Sequence, residues 1–162
     1  MEHKIKIYLD TSVPNFLFAD DAPELKRVTI NLFEKFIKNG IYDTYASNFV
    51  IQEIKQTANL EKRIELLKVF ETYNIDFLPM DNLDEMQLLA EKYMEHKIIP
   101  RKKIFDALHI ACYVVHKIDY LVSWNYQHLA NVNKEKNVLS VNIENNYLHP
   151  VRIITPLELL YK

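Results

Sequence analysis

Apolar positions along the chain change period several times, and each change marks an element. Ile5, Ile7 and Leu9 alternate with polar or amphipathic residues, the period of a strand, and the run stops at Asp10. Pro14 suits the opening of a short helix, where a missing N–H costs nothing. From Glu24 to Asn39, Leu25, Val28, Leu32, Phe36 and Ile37 recur at helical spacing, and Gly40 stands where a C-terminal cap belongs. Tyr42 to Ala46 reads as a second strand, followed by Ser47 as the N-cap of a helix carrying Val50, Ile51 and Ile54. A helix over Leu60 to Tyr73 leads to a third strand, Ile75 to Leu78, stopped by Pro79. Leu83 to His96 is helical, with Met86, Leu89, Ala90 and Tyr93 on one face. Lys103 to His116 reads as a buried helix with Leu108, Ala111, Cys112 and Val115. Tyr120 to Val122 and Val151 to Ile154 are the fourth and fifth strands, and a last turn covers Pro156 to Leu160.

Strands separated by helices predict an α/β fold with parallel pairing and right-handed crossovers. The 162 residues suit a single domain over 1–162 that can bury a real core. In open parallel sheets, ligands sit beyond the carboxyl ends of the strands, near the point where strand order reverses. The residues just after each strand are therefore the ones to examine.

Composition alters this picture in a few places. Apolar residues make up 49% and charged residues 26%, as in an ordinary globular domain. No apolar run is long enough to span a bilayer, and the polar start, Met1 to Lys6, lacks the apolar stretch of a secretory signal. Cys112 is the single cysteine, so no internal disulfide can form and a cytoplasmic setting is expected. Gly40 is the single glycine, which excludes a P-loop or a dinucleotide fingerprint, since both need several. Six scattered histidines and one cysteine show no zinc-ligand spacing. The formal net charge of −2 means that any nucleic-acid contact has to come from a local basic patch.

Four oxygen-bearing side chains fall where the topology can gather them. Asp10 ends the first strand, Glu53 lies on the helix after the second, Asp106 is in the first turn of its helix, and Asn125 follows the fourth strand. Oxygen ligands suit a hard cation such as Mg²⁺ or Mn²⁺. Two carboxylates about 5 Å apart repel by roughly 3 kcal/mol at an effective dielectric of about 20, so such a cluster makes sense chiefly with a metal. Each residue alone has a plainer reading, as a turn former, a solvated helix residue or a dipole-matched acid. Asp106 is the exception, because it stands among Ile104, Phe105, Ala107 and Leu108, and a charge there asks for a partner.

These residues resemble the PIN-domain family. The carrying segments are Tyr8-Leu9-Asp10-Thr11-Ser12-Val13, Val50-Ile51-Gln52-Glu53-Ile54, Phe105-Asp106-Ala107-Leu108-His109-Ile110-Ala111 and Tyr120-Leu121-Val122-Ser123-Trp124-Asn125. Ile154-Thr155-Pro156-Leu157-Glu158 fits the family's last strand and helix. The resemblance covers nearly the whole chain in order. It implies a three-layer α/β/α fold with about five parallel strands and metal-dependent hydrolysis of RNA. It further implies Asp10 and Asp106 as principal metal ligands, Glu53 as ligand or water-positioning base, and Ser12 as a hydrogen-bonding support beside the substrate. Members of this size are often VapC-type toxins held by a small antitoxin. The expected partners are an RNA substrate, such an antitoxin and a second copy in a homodimer, with no membrane. Asn125 departs from the family's usual Asp, which puts a second metal position in doubt more than the first.

Arg101, Lys102 and Lys103 precede the helix bearing Asp106. Cations at a helix N-terminus oppose its dipole, so phosphate contact explains their placement better than solvation does. Trp124 can stack on a base, or equally pack in the core. His109, one turn after Asp106, reads better as a hydrogen-bonded core histidine than as a proton relay. Two rivals stand against the nuclease reading. One is a non-catalytic PIN-fold module that binds RNA or protein, which Asn125 favours. The other is a receiver-like domain, which the segment Asp10-Thr11-Ser12 and the helical position of Asp106 do not fit.

Overall fold

The computed structural model describes residues 3–161; Met1 and Glu2, the start of the polar N-terminal run, and Lys162 lie outside the described residues. The alternating first segment forms β1 (Lys6–Leu9), followed by α1 (Ser12–Phe16) and α2 (Pro23–Asn31). Then come β2 (Asp43–Ala46), α3 (Asn48–Ile54), α4 (Leu60–Thr72), β3 (Asp76–Phe77) and α5 (Leu83–Glu95). A short turn of 3₁₀ helix (Arg101–Lys103) enters α6 (Ile104–Val115), and β4 (Tyr120–Val122), α7 (Val132–Glu144), β5 (Ile153–Ile154) and α8 (Pro156–Leu160) complete the chain.

The five strands form one parallel sheet in the order β3-β2-β1-β4-β5. Strand order therefore reverses at β1, whose two neighbours are β2 and β4. Helices cover both faces, in a three-layer α/β/α arrangement. The right-handed crossovers usual in parallel units would put the helices before the reversal on one face and those after it on the other, and the contacts divide accordingly. Helix α5 packs on α6 and α7, while α1 meets α2 and α4, and α2 meets α8. Helix α3 touches both α4 and α6.

β1 is the central strand, and Ile7, Tyr8 and Leu9 are fully buried. Period-two alternation sends Tyr8 to the face opposite Ile7 and Leu9, where its hydroxyl meets Ser47 and His109 of α6. Ser47 caps α3 as expected, accepting a hydrogen bond from the Phe49 N–H at 3.2 Å. Gly40 has φ of +69°, the left-handed conformation that an L side chain resists.

Two elements differ from the sequence reading. The helix expected from Glu24 to Asn39 begins at Pro23 and widens over Leu32–Ile37 into a π-helical stretch, with the Lys38 N–H bonded to the Phe33 carbonyl. One extra residue in the turn resets the helical phase, so Leu32, Phe33 and Ile37 are all buried. Helix α7 has no counterpart in the sequence reading. It is capped by Asn131 but buries only Val138, Val141 and Asn142, too sparse an apolar stripe among Lys, Glu and Asn to declare a period. Among the described residues, no helix is long and apolar enough to cross a membrane.

Candidate active site

Asp10 is the first residue beyond β1, at the point where strand order reverses, and only 3% of it is exposed. Its Oδ1 accepts two hydrogen bonds from Ser12, from the N–H at 3.0 Å and from the hydroxyl at 2.5 Å. The same Ser12 hydroxyl oxygen accepts the Trp124 N–H at 2.9 Å, tying the loop after β1 to the loop after β4. Ser12 thus joins Asp10 to the loop after β4.

A cleft of about 340 Å³ opens over this point. Asp10, Glu53, Asp106 and Asn125 all line it, together with Ser12, Lys102 and Lys103. Four segments distant in sequence meet here because β1 and β4 are adjacent, α3 follows β2, and α6 packs near α3. Among the described residues, no three His, Cys, Asp or Glu side chains are gathered closely enough to hold a metal ion. The carboxylates share a cleft without closing on one point. Their chemistry nevertheless fits a hard cation: the donors are oxygens, and both nitrogens of the nearby imidazole are taken up by Glu53 and Tyr8.

The three acids differ in environment. Burial raises the Asp10 carboxyl above its ordinary value, against the opposing pull of His109 and Ser12. Burial, and next the charge of Asp10, push Asp106 up to about 6. For Glu53 burial is the largest influence and also raises, but the His109 hydrogen bond, the Thr11 hydroxyl and Lys103 together hold it below the ordinary range. Carboxylates kept apart in this way can take different roles in one site.

Glu53 Oε1 accepts the Thr11 hydroxyl at 2.5 Å and lies 2.9 Å from His109 Nε2. His109 is 1% exposed, and its Nδ1 is 2.7 Å from the Tyr8 hydroxyl. It is a hydrogen-bonded core histidine, and it also reaches the site through Glu53. Asn125 Oδ1 accepts the His128 N–H at 3.0 Å, so the amide shapes its own turn while its residue lines the cleft.

The basic run divides. Lys102 and Lys103 line the cleft, but Arg101 pairs with Glu91 of α5 at 2.7 Å and leaves the site. Consecutive residues of a 3₁₀ turn leave the axis about 120° apart, so three neighbouring cations cannot share one wall. Trp124 is also corrected. It is 4% exposed, its indole N–H donates to Thr29 Oγ1 at 2.8 Å, and it offers no open face to a base. Trp124→Phe should destabilise the fold by about 1–3 kcal/mol, because it strands a buried acceptor, and leave unchanged any affinity for RNA. Denaturant melts with parallel binding titrations check this, and weakened binding in a stable variant would restore the stacking role.

Sequence reasoning assigned no role to Thr11, Asn15, Gln56 or Phe105, all of which line the cleft. Gln56 lies three residues after Glu53 and Asn15 three after Ser12, spacings that put each pair on one side of a helical turn. Burial holds the Lys134 ammonium below its ordinary value, against the opposing pull of Asp106, and Lys134 bonds the Ile98 carbonyl. It went unnoticed because α7 did. Set against models of known protein families the chain matches none, and no curated protein matches it.

Proposed function

We propose that the protein is a metal-dependent endoribonuclease built as the PIN-like sequence segments imply. One observation carries this reading: Asp10, Glu53 and Asp106 line a single cleft at the strand-order reversal, with Lys102 and Lys103 on its rim. Asp10 and Asp106 would be the principal ligands of Mg²⁺ or Mn²⁺, with waters completing its shell; when bound, the ion would supply Lewis-acid activation of water and neutralise phosphoryl charge. Glu53, held ionised, orients the attacking water and accepts its proton. Lys102 and Lys103 contact the phosphates on either side of the scissile bond. Ser12 holds Asp10 in place through both of its bonds to Oδ1. The toxin role, an antitoxin partner, a homodimer and a cytoplasmic setting belong to the same proposal and rest on the resemblance alone.

The rival is a non-catalytic RNA- or protein-binding module. It is favoured by the involvement of Asn125 Oδ1 in its own turn and by the open spacing of the acids. Purified protein incubated with RNA and Mg²⁺ or Mn²⁺ decides between them. Cleavage that stops in excess EDTA supports the nuclease; binding without cleavage supports the module; cleavage that survives EDTA sinks the metal mechanism.

The basic rim has its own test. Lys102→Gln with Lys103→Gln should flatten the salt dependence of single-stranded RNA binding by about 1.4 in log–log slope, at roughly 0.7 per phosphate contact. Arg101→Gln should leave the slope unchanged, because Glu91 already partners that guanidinium. An unaltered slope in the lysine variant would reduce the run to a solvated surface.

A further inference from the structure

A chain of buried polar groups runs from the core to Glu53. Tyr8 is fully buried on the central strand, yet its hydroxyl lies 2.6 Å from Ser47 Oγ and 2.7 Å from His109 Nδ1. His109 Nε2 lies 2.9 Å from Glu53 Oε1, and the Thr11 hydroxyl donates to the same oxygen at 2.5 Å. Apolar packing alone calls for none of this. A phenylalanine would fill the place of Tyr8, and every hydroxyl or imidazole buried here has to find partners.

The directions of the bonds follow from what each atom can do. A carboxylate only accepts, so His109 Nε2 must carry the proton that reaches Oε1. In a neutral ring Nδ1 is then the acceptor, and the Tyr8 hydroxyl must donate to it. Tyr8 has one proton and has spent it, so its oxygen accepts from Ser47. Ser47 Oγ in turn accepts the Phe49 N–H at the start of α3. Every bond is used in one direction, from the cap of α3 through β1 and α6 back to the last turn of α3. Two donors converge on Oε1, and neither uses Oε2. The network thereby fixes the rotation of the carboxylate through one of its two oxygens, and Glu53 lines the cleft.

We propose that Tyr8 and His109 are positioning residues for Glu53, with His109 locked as its Nε2–H tautomer by the Tyr8 hydroxyl so that Glu53 presents Oε2 to the reaction. This deepens the nuclease reading and its catalytic half rests on it. Neither residue touches substrate; both act by holding the base at its angle, as outer-shell partners do for the ligands they orient.

The tautomer is read directly, without activity, from ¹⁵N chemical shifts of His109 in the full-length protein. The expected result is a protonated Nε2 and an unprotonated, hydrogen-bonded Nδ1; in Tyr8→Phe the Nδ1 signal should move and the two tautomers mix. A protonated Nδ1 in the wild type overturns the assignment. In the cleavage assay, Tyr8→Phe should lower kcat by about 10- to 100-fold with KM little changed, the range for lost outer-shell partners. His109→Gln, whose amide can still donate to Glu53, should retain more activity than His109→Leu. Rates normalised to folded protein that are equal in all four proteins overturn the positioning role. A wild type with no metal-dependent cleavage but the expected tautomer sinks the nuclease reading, and with it the catalytic half of this proposal, while the network stands.

Discussion

Asp10→Asn is expected to lower metal-dependent RNA cleavage by more than about 100-fold, beyond the range that loss of an outer-shell partner produces. Asp10 is the carboxylate at the strand-order reversal, and two hydrogen bonds from Ser12 fix it there. The substitution removes charge and little else. The amide oxygen can still accept both bonds from Ser12, so the loop after β1 and its tie to Trp124 should persist. An unchanged circular dichroism spectrum and a cooperative melt would show that the fold survives. Single-turnover cleavage then reads the loss of a charged ligand separately from any loss of structure. A variant that cleaves like the wild type would remove Asp10 from the site and with it the centre of the proposed mechanism.

Asp106→Asn should give the second large effect, on stability, with a sign that depends on pH. In the folded protein this carboxyl is pushed from 3.8 up to about 6, first by burial and then by the charge of Asp10. Between those values the folded state binds more protons than the unfolded state, so stability falls as pH rises. The penalty is fully present above about pH 6 and absent below about pH 4. Taken whole, the difference corresponds to roughly 3 kcal/mol; partial exposure and counterions bring the expectation to roughly 1–2 kcal/mol. The metal-free variant should therefore be more stable than the wild type at pH 7, and the gap should close toward pH 4. Mg²⁺ or Mn²⁺ should reverse the order, because a ligand bound only by the folded state stabilises it by mass action and the variant binds less well. Melting curves at pH 4, 5.5 and 7, with EDTA and with metal, test both halves. Parallel curves across pH would mean that the carboxyl is not strained, and identical metal responses would mean that it is no ligand.

The carboxyl-terminal edge of the sheet was legible in the chain because its signals are local. Alternation of Ile5, Ile7 and Leu9 ends at Asp10, and Ser47 announces α3 and hence Glu53. The apolar run around Asp106 marks a helix in which a charge is out of place. The parallel sheet and its order-reversing geometry follow from strands separated by helices. Arg101 and Trp124 show where that reasoning stops. Their type and position are written in the sequence, but the direction of a side chain depends on what surrounds it. A 3₁₀ turn sends Arg101 to Glu91, and Thr29 draws the indole of Trp124 inward.

The sequence by itself determined the five strands and most of the helices, that they build a parallel α/β sheet, and which acids sit at the ends of those elements. These are consequences of period and capping, which act over a few residues. Only the tertiary structure decided that α7 exists as a packed helix, that Lys102 and Lys103 face the cleft without Arg101, and that Tyr8 and Glu53 grip opposite nitrogens of His109. Tyr8 and His109 stand 101 positions apart in the chain, and no local period links them. They meet because a hydroxyl and an imidazole buried side by side must satisfy one another, a demand that arises only once the sheet and α6 have closed over both.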